Sequence, residues 1–130
     1  MYQPKLAKDI RCPLEYGLEL FGGKWKSRIL CVLAARPVLR YSELRREMTD
    51  ISDTILAATL KELILSELVA RTQYNEIPPR VEYRLTDRGR SVIPILQSIC
   101  RWAGAFHPES AASDKALPQC RRCDFHPLSA

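Results

Sequence analysis

The sequence predicts a mainly α-helical chain with one small β-hairpin, and three observations lead there. Apolar residues recur at helical spacing in five stretches between Pro13 and Phe106. Two segments rich in Val, Tyr and Thr, 69–74 and 80–85, flank a double proline and read as an antiparallel hairpin. Finally, Tyr41 to Leu68 reads as a short helix, a tight turn and a longer helix with a cap at its start. A rigid hairpin directly after a helix-turn-helix is a wing, so the fold class is a winged helix-turn-helix.

Taken in order, residues 1–11 are polar, lack periodicity and read as a flexible N-terminal arm. Cys12-Pro13 ends it. Proline suits the first helical position because its missing N–H would be unpaired there, so Pro13 begins a helix with Leu14, Leu18 and Phe21 on one face. Gly22-Gly23 stops that helix. Lys24 opens a second, in which Trp25, Ile29, Leu30, Val32 and Leu33 are apolar almost all round, the pattern of a central buried helix.

Arg36-Pro37 ends the second helix, and Val38-Leu39-Arg40 has room only for a stub of strand. Ser42 is expected to cap a two-turn helix carrying Glu43 in its first turn and Leu44 and Met48 four apart. Thr49-Asp50 makes the turn. Ser52 then caps the next helix, Asp53 meets its positive dipole end, and Leu56, Leu60 and Leu63 form its buried stripe. Its other face carries Thr54, Ala57, Ala58 and Lys61.

Asn75 to Pro79 makes a stiff hairpin tip, since two prolines fix the backbone and cannot donate to a ladder. Thr86 caps the last helix, whose apolar positions Val92, Leu96, Ile99, Ala103 and Phe106 are widened by Ile93, Ile95, Cys100 and Trp102. Pro94 is expected to kink it or mark a late start. So broad a stripe exceeds what one small domain covers, and part of it is expected to bury against a second chain. Residues 12–106 therefore read as one DNA-binding and dimerisation domain, and 107–130 as a C-terminal tail low in fixed structure.

At 130 residues the chain is the size of one domain, and 20 Lys and Arg against 15 Asp and Glu leave it at +5, a balance suited to a polyanionic partner. The longest apolar run, Ile29 to Ala35, is too short to span a bilayer, so a cytoplasmic location without membrane contact is expected. Five cysteines, an odd and scattered count, argue against a secreted disulfide framework. The chain carries two histidines, both in or near the tail, no phosphate-cradling glycine loop and no paired carboxylates, which argues against an enzyme and against a cofactor.

One ordered set of fragments is specific: Cys12-Pro13, Gly22-Gly23-Lys24-Trp25, Arg40-Tyr41-Ser42-Glu43-Leu44-Arg45, Ile51-Ser52, Leu60-Lys61-Glu62-Leu63, Pro78-Pro79-Arg80-Val81-Glu82-Tyr83 and Leu85-Thr86. In that order and spacing the chain resembles the HxlR family of bacterial winged helix-turn-helix transcription regulators, relatives of the MarR type, over about residues 12–104. The resemblance implies a homodimer paired through the first and last helices, binding a roughly palindromic operator in double-stranded DNA to repress or activate nearby genes. Several members resemble thiol sensors that use a cysteine just before the first helix, the position of Cys12. That implies an oxidant or a small-molecule effector.

The groove-facing side of the recognition helix is expected to be Thr54, Ala57, Ala58 and Lys61, with Ser52 at its start: Thr54 bonding a base edge, the alanines touching thymine methyls, Lys61 reaching phosphate. Arg80, at the foot of the wing, is assigned to a minor groove or its phosphates, and Lys24, Arg40, Ser42 and Arg46 to backbone contacts. Where relatives usually carry Lys, Arg or Gln, this helix has Thr54, Ala57 and Thr59. Specificity then comes from methyl contacts and DNA shape, or affinity is low and the tail supplies charge. A dimeric interaction module without an operator is the alternative.

Cys31 and Cys100 lie on apolar stripes and read as small core residues. Cys12 stands at a helix N-terminus beside Arg11, the electropositive setting of a reactive thiol. Cys120 and Cys123 read as idle thiols of the tail, as a redox pair, or with His126 as three of the four ligands zinc requires.

Overall fold

The computed structural model describes residues 9–106; most of the N-terminal arm and the whole tail, with Cys120, Cys123 and His126, lie outside the described residues. Eight elements follow in order: α1 Pro13–Phe21, α2 Lys24–Ala35, β1 Leu39–Arg40, α3 Tyr41–Glu47, α4 Asp53–Leu65, β2 Val69–Tyr74, β3 Arg80–Leu85 and α5 Asp87–Phe106. The hairpin and the starts of α1, α2 and α4 fall where capping and turn chemistry place them.

The core is a single apolar cluster built around α2. Ile29, Leu30, Val32 and Leu33 of that helix are buried with Leu44 and Met48 below α3, Leu56, Leu60 and Leu63 of α4, Tyr83 and Leu85 of β3, and Val92 and Leu96 of α5. Four elements thus share one helix as their floor. This explains why α2 is apolar nearly all round: it has almost no solvent side to keep polar.

The sheet has three strands in the order β1-β3-β2, all antiparallel. β1 is only two residues long, yet its pairs Leu39 with Tyr83 and Arg40 with Glu82 tie the entrance of α3 to the wing. The helix-turn-helix and the wing are therefore one rigid piece joined through β3.

Three points depart from the sequence reading, two at helix starts and one at a helix end. α3 begins two residues early, at Tyr41 with Arg40 as N-cap, so Ser42 is not its cap but an exposed first-turn residue. The Glu43 carboxylate does the capping instead, accepting the Arg40 backbone N–H at 2.8 Å. Pro94 does not delay α5, which runs from Asp87 through Phe106; its start is fixed by Thr86, whose hydroxyl accepts the Gly89 N–H at 2.9 Å.

The third concerns the close of α4. The Leu68 N–H returns to the Leu63 carbonyl at 3.0 Å and the Glu67 N–H to the Ile64 carbonyl at 2.9 Å, with Glu67 in the left-handed region at φ 64°. No glycine marks this end in the sequence. Thr86 then donates its hydroxyl to the Glu67 carbonyl at 2.7 Å and its N–H to the Leu68 carbonyl at 3.1 Å, so the exit of α4 and the start of α5 are stitched together. Only glycine fits at 89: a Cβ there would stand 2.1 Å from the Leu68 carbonyl oxygen.

Candidate nucleic-acid interface

The start of α4 is fixed twice. Ser52 accepts the Ile55 N–H at 3.1 Å through its hydroxyl, as a cap should. Asp53 is held from α3 by the Arg45 guanidinium and by the Tyr41 hydroxyl, which donates at 3.3 Å. One carboxylate therefore sets the angle between the two helices. The Tyr41 phenol is pushed above its ordinary value, first by burial and then by the Asp53 charge, so at neutral pH it remains a donor.

With Leu56, Leu60 and Leu63 turned inward, α4 presents Thr54, Ala57, Ala58 and Lys61 to solvent, as the sequence predicts. Thr59 belongs to the other side. It is 8% exposed and donates its hydroxyl to the Ile55 carbonyl at 2.7 Å, so it takes no part in the outer face. Ile55 does: it is 43% exposed beside Ala58. The signal for it was available, because the residue preceding buried Leu56 and three before Ala58 falls on the flank of the open face.

Exposed cations stand on α4 itself and on the helices packed beside it. Arg40, Arg46 and Lys61 are exposed and form no ion pair with another described residue. Lys24 is exposed at the start of α2, its ammonium 4.5 Å from the centre of the Trp25 ring, and Arg28 stacks on the same ring at 5.2 Å. Ser42 lies exposed on α3.

The wing differs from expectation. Arg80 pairs with Tyr74 across the hairpin, beside the tip rather than at the foot. Its guanidinium lies 4.1 Å over the Tyr74 ring, 3.1 Å from the Glu76 carboxylate and 3.7 Å from that of Glu82, and its buried Nε has no hydrogen bond. Arg80 is thus a clasp of the hairpin whose charge is already met by two carboxylates. Two exposed cations remain on the wing: Arg71 of β2, which bonds the Gln73 side-chain carbonyl at 3.2 Å, and Arg84 of β3, which bonds the Thr72 hydroxyl at 2.9 Å and faces away from buried Tyr83 and Leu85. For Arg84, strand alternation with Tyr83 and Leu85 already marks the outward side.

A short helix, a capped longer helix with an open face, and a wing tied to both by β3 are matched by a known family over residues 20–111, described as the HxlR-like helix-turn-helix. The chain belongs to the HxlR family. It is 44% identical over 100 residues to the HTH-type transcriptional regulator YdzF of Bacillus subtilis, covering 77% of this chain and 92% of that one. A crystal structure of the HTH-type regulator YtcD, also found in Bacillus subtilis, aligns with a TM-score of 0.69 at 38% identity, covering 74% of this chain and 97% of that one. The redox regulator HypR in its oxidised form aligns with a TM-score of 0.66 at 35% identity, covering 72% of this chain and 96% of that one. This HxlR-family chain is accordingly an HTH-type transcriptional regulator and not an enzyme.

Within this HxlR-family fold the thiols are dispersed. Cys12 is exposed and is the N-cap residue of α1, its carbonyl accepting the Tyr16 N–H at 3.1 Å. The Arg11 guanidinium beside it is gripped by Asp9 through two nitrogens, at 2.8 to 3.2 Å, so that cation arrives already paired. Cys31 and Cys100 are half-buried, and Cys31 packs against the core, as its apolar stripe predicts, whereas Cys100 is not part of that cluster. Among the described residues no three His, Cys, Asp or Glu side chains are grouped to hold a metal ion, and no helix is long and apolar enough to cross a membrane.

Proposed function

We propose that this regulator acts in the cytoplasm as a homodimer that places α4 of each protomer in successive major grooves of a pseudo-palindromic operator. The observation that carries the reading is the open outer face of α4, held at its start by Ser52 and Asp53 and at its end by Thr86, with Lys61 on it and Arg40 and Arg46 at the adjoining α3 having no described counter-ion. A helix fits a groove about 12 Å wide, and unpaired cations around it meet phosphates. Lys24 and Ser42 join the backbone contacts, and Arg84 takes the wing role first assigned to Arg80.

Dimerisation follows from surfaces the chain does not cover. Leu14, Tyr16 and Leu18 of α1 and Ile95, Ile99 and Trp102 of α5 are 45% to 68% exposed. Large apolar side chains concentrated on the first and last helices suit a self-complementary interface. Two recognition helices so joined reach half-sites about 34–36 Å apart.

A thiol response through Cys12 is the second layer of the proposal. It is supported by the exposure of Cys12 at the mouth of α1, within the surface assigned to pairing, and by the likeness to a protein described as a redox regulator. The first test is a salt titration of the full chain on operator DNA selected from a random pool, with and without reductant. A steep fall of affinity with salt is expected, and a flat dependence sinks the phosphate-contact geometry. Cys12→Ser that answers oxidant just as wild type does removes the thiol layer.

A further inference from the structure

We infer that α4 reads thymine through its 5-methyl group, so that the bases bound by this regulator are chosen by apolar contact rather than by hydrogen bonds. The inference rests on the reading of α4 as the groove helix and deepens it by naming what that helix recognises. Apart from Lys61, which is assigned to phosphate, the long polar side chains on or near the outer face are accounted for elsewhere. Asp53 is held by Tyr41 and Arg45, and Glu62 carries the Lys26 ammonium at 3.3 Å. Thr59 is turned inward on the Ile55 carbonyl. What remains at the groove-facing end is Thr54, Ile55, Ala57 and Ala58, with Lys61 one turn further on.

The chemistry of base edges then decides. Guanine is read in the major groove by Arg or Lys on O6 and N7, and adenine by Asn or Gln on N6 and N7. None of these stands among residues 54 to 58. The one feature of that groove which asks for no donor or acceptor is the methyl on C5 of thymine, and Ala and the Thr methyl are fitting partners for it. Ile55, 43% exposed, extends the same surface by a branched side chain. An apolar patch pressed against a groove with no methyl would desolvate base-edge polar atoms without return, which disfavours G·C pairs at those positions.

The test uses the full chain and a duplex recovered by selection from random DNA, with thymines replaced one at a time by uracil. Uracil keeps every hydrogen bond of thymine and lacks only the methyl. Each contacted thymine is expected to lose about 3- to 5-fold in affinity on replacement, the worth of one buried methyl. Two or three such positions per half-site are expected, and uracil elsewhere in the duplex changes nothing. In Ile55→Ala the ratio of thymine to uracil affinity shrinks at one position. Equal affinity for the thymine and fully uracil-substituted duplexes overturns the inference while the salt dependence still upholds the DNA reading. Selection that returns no preferred sequence, with affinity insensitive to salt, overturns both.

Discussion

α4 and α5 both carry a continuous apolar stripe, but the chain covers one and leaves much of the other open. Leu56, Leu60 and Leu63 of α4 are at most 2% exposed, whereas α5 buries Val92 and Leu96 and leaves Ile95, Ile99 and Trp102 outside. The outer face of α4, by contrast, is mostly small or charged, with Thr54, Ala57, Ala58 and Lys61 beside one exposed Ile55. Hydrophobic burial is non-directional, so a stripe reveals that a face needs cover without saying by what. For α4 the cover is α2. For α5 we propose that it is in part a second copy.

That contrast can be broken most forcefully in the core. Leu56→Ala is expected to cost about 2–5 kcal/mol in urea unfolding, because a buried leucine leaves a cavity behind. Trp102→Asp, on the open side of α5, is expected to leave the monomer folded by circular dichroism while sedimentation shows the dimer gone. Operator affinity then falls by at least about 100-fold, since two linked half-site contacts become independent ones. A Trp102→Asp protein that remains dimeric would show that α5 is not the pairing surface.

Smaller effects sharpen the account of α4 itself. Lys61→Ala should lower the slope of log affinity against log salt by about 1, the signature of one lost phosphate contact. Glu67→Gly should raise stability by about 1 kcal/mol or less, since glycine relieves the left-handed backbone that closes α4, and the lost ion pair with Arg88, 3.6 Å away on the surface, is worth little. The mildest effect is alkaline. The Tyr41 phenol titrates above its usual value of 10 in the fold, so its contribution is complete below that value and is lost as pH rises through the higher folded one. Tyr41→Phe should flatten that part of a pH–stability curve.

The helix starts and the hairpin were legible because their signals are local: Pro13 at the first turn of α1, Ser52 and Thr86 as caps, two prolines at the wing tip. Ser42 misled for the same reason. A serine before an acidic turn is a cap by local chemistry, and only the pairing of Leu39 and Arg40 with β3 moves the start of α3 two residues back. Thr59 could not be placed by type, since its hydroxyl is satisfied within the helix whether it faces core or solvent.

Sequence alone determined the order of elements, the central place of α2 and the spare apolar surface of α5, since periodicity and capping are properties of neighbours in the chain. Tertiary structure decided which charges are free. Arg80 looked like a wing cation until Glu76, Glu82 and Tyr74 closed around it, and Arg46 and Lys61 kept no described counter-ion. Whether a side chain is available to a phosphate depends on who else reaches it first, and Glu76 and Tyr74 reach Arg80 only because the hairpin turns the chain back on itself.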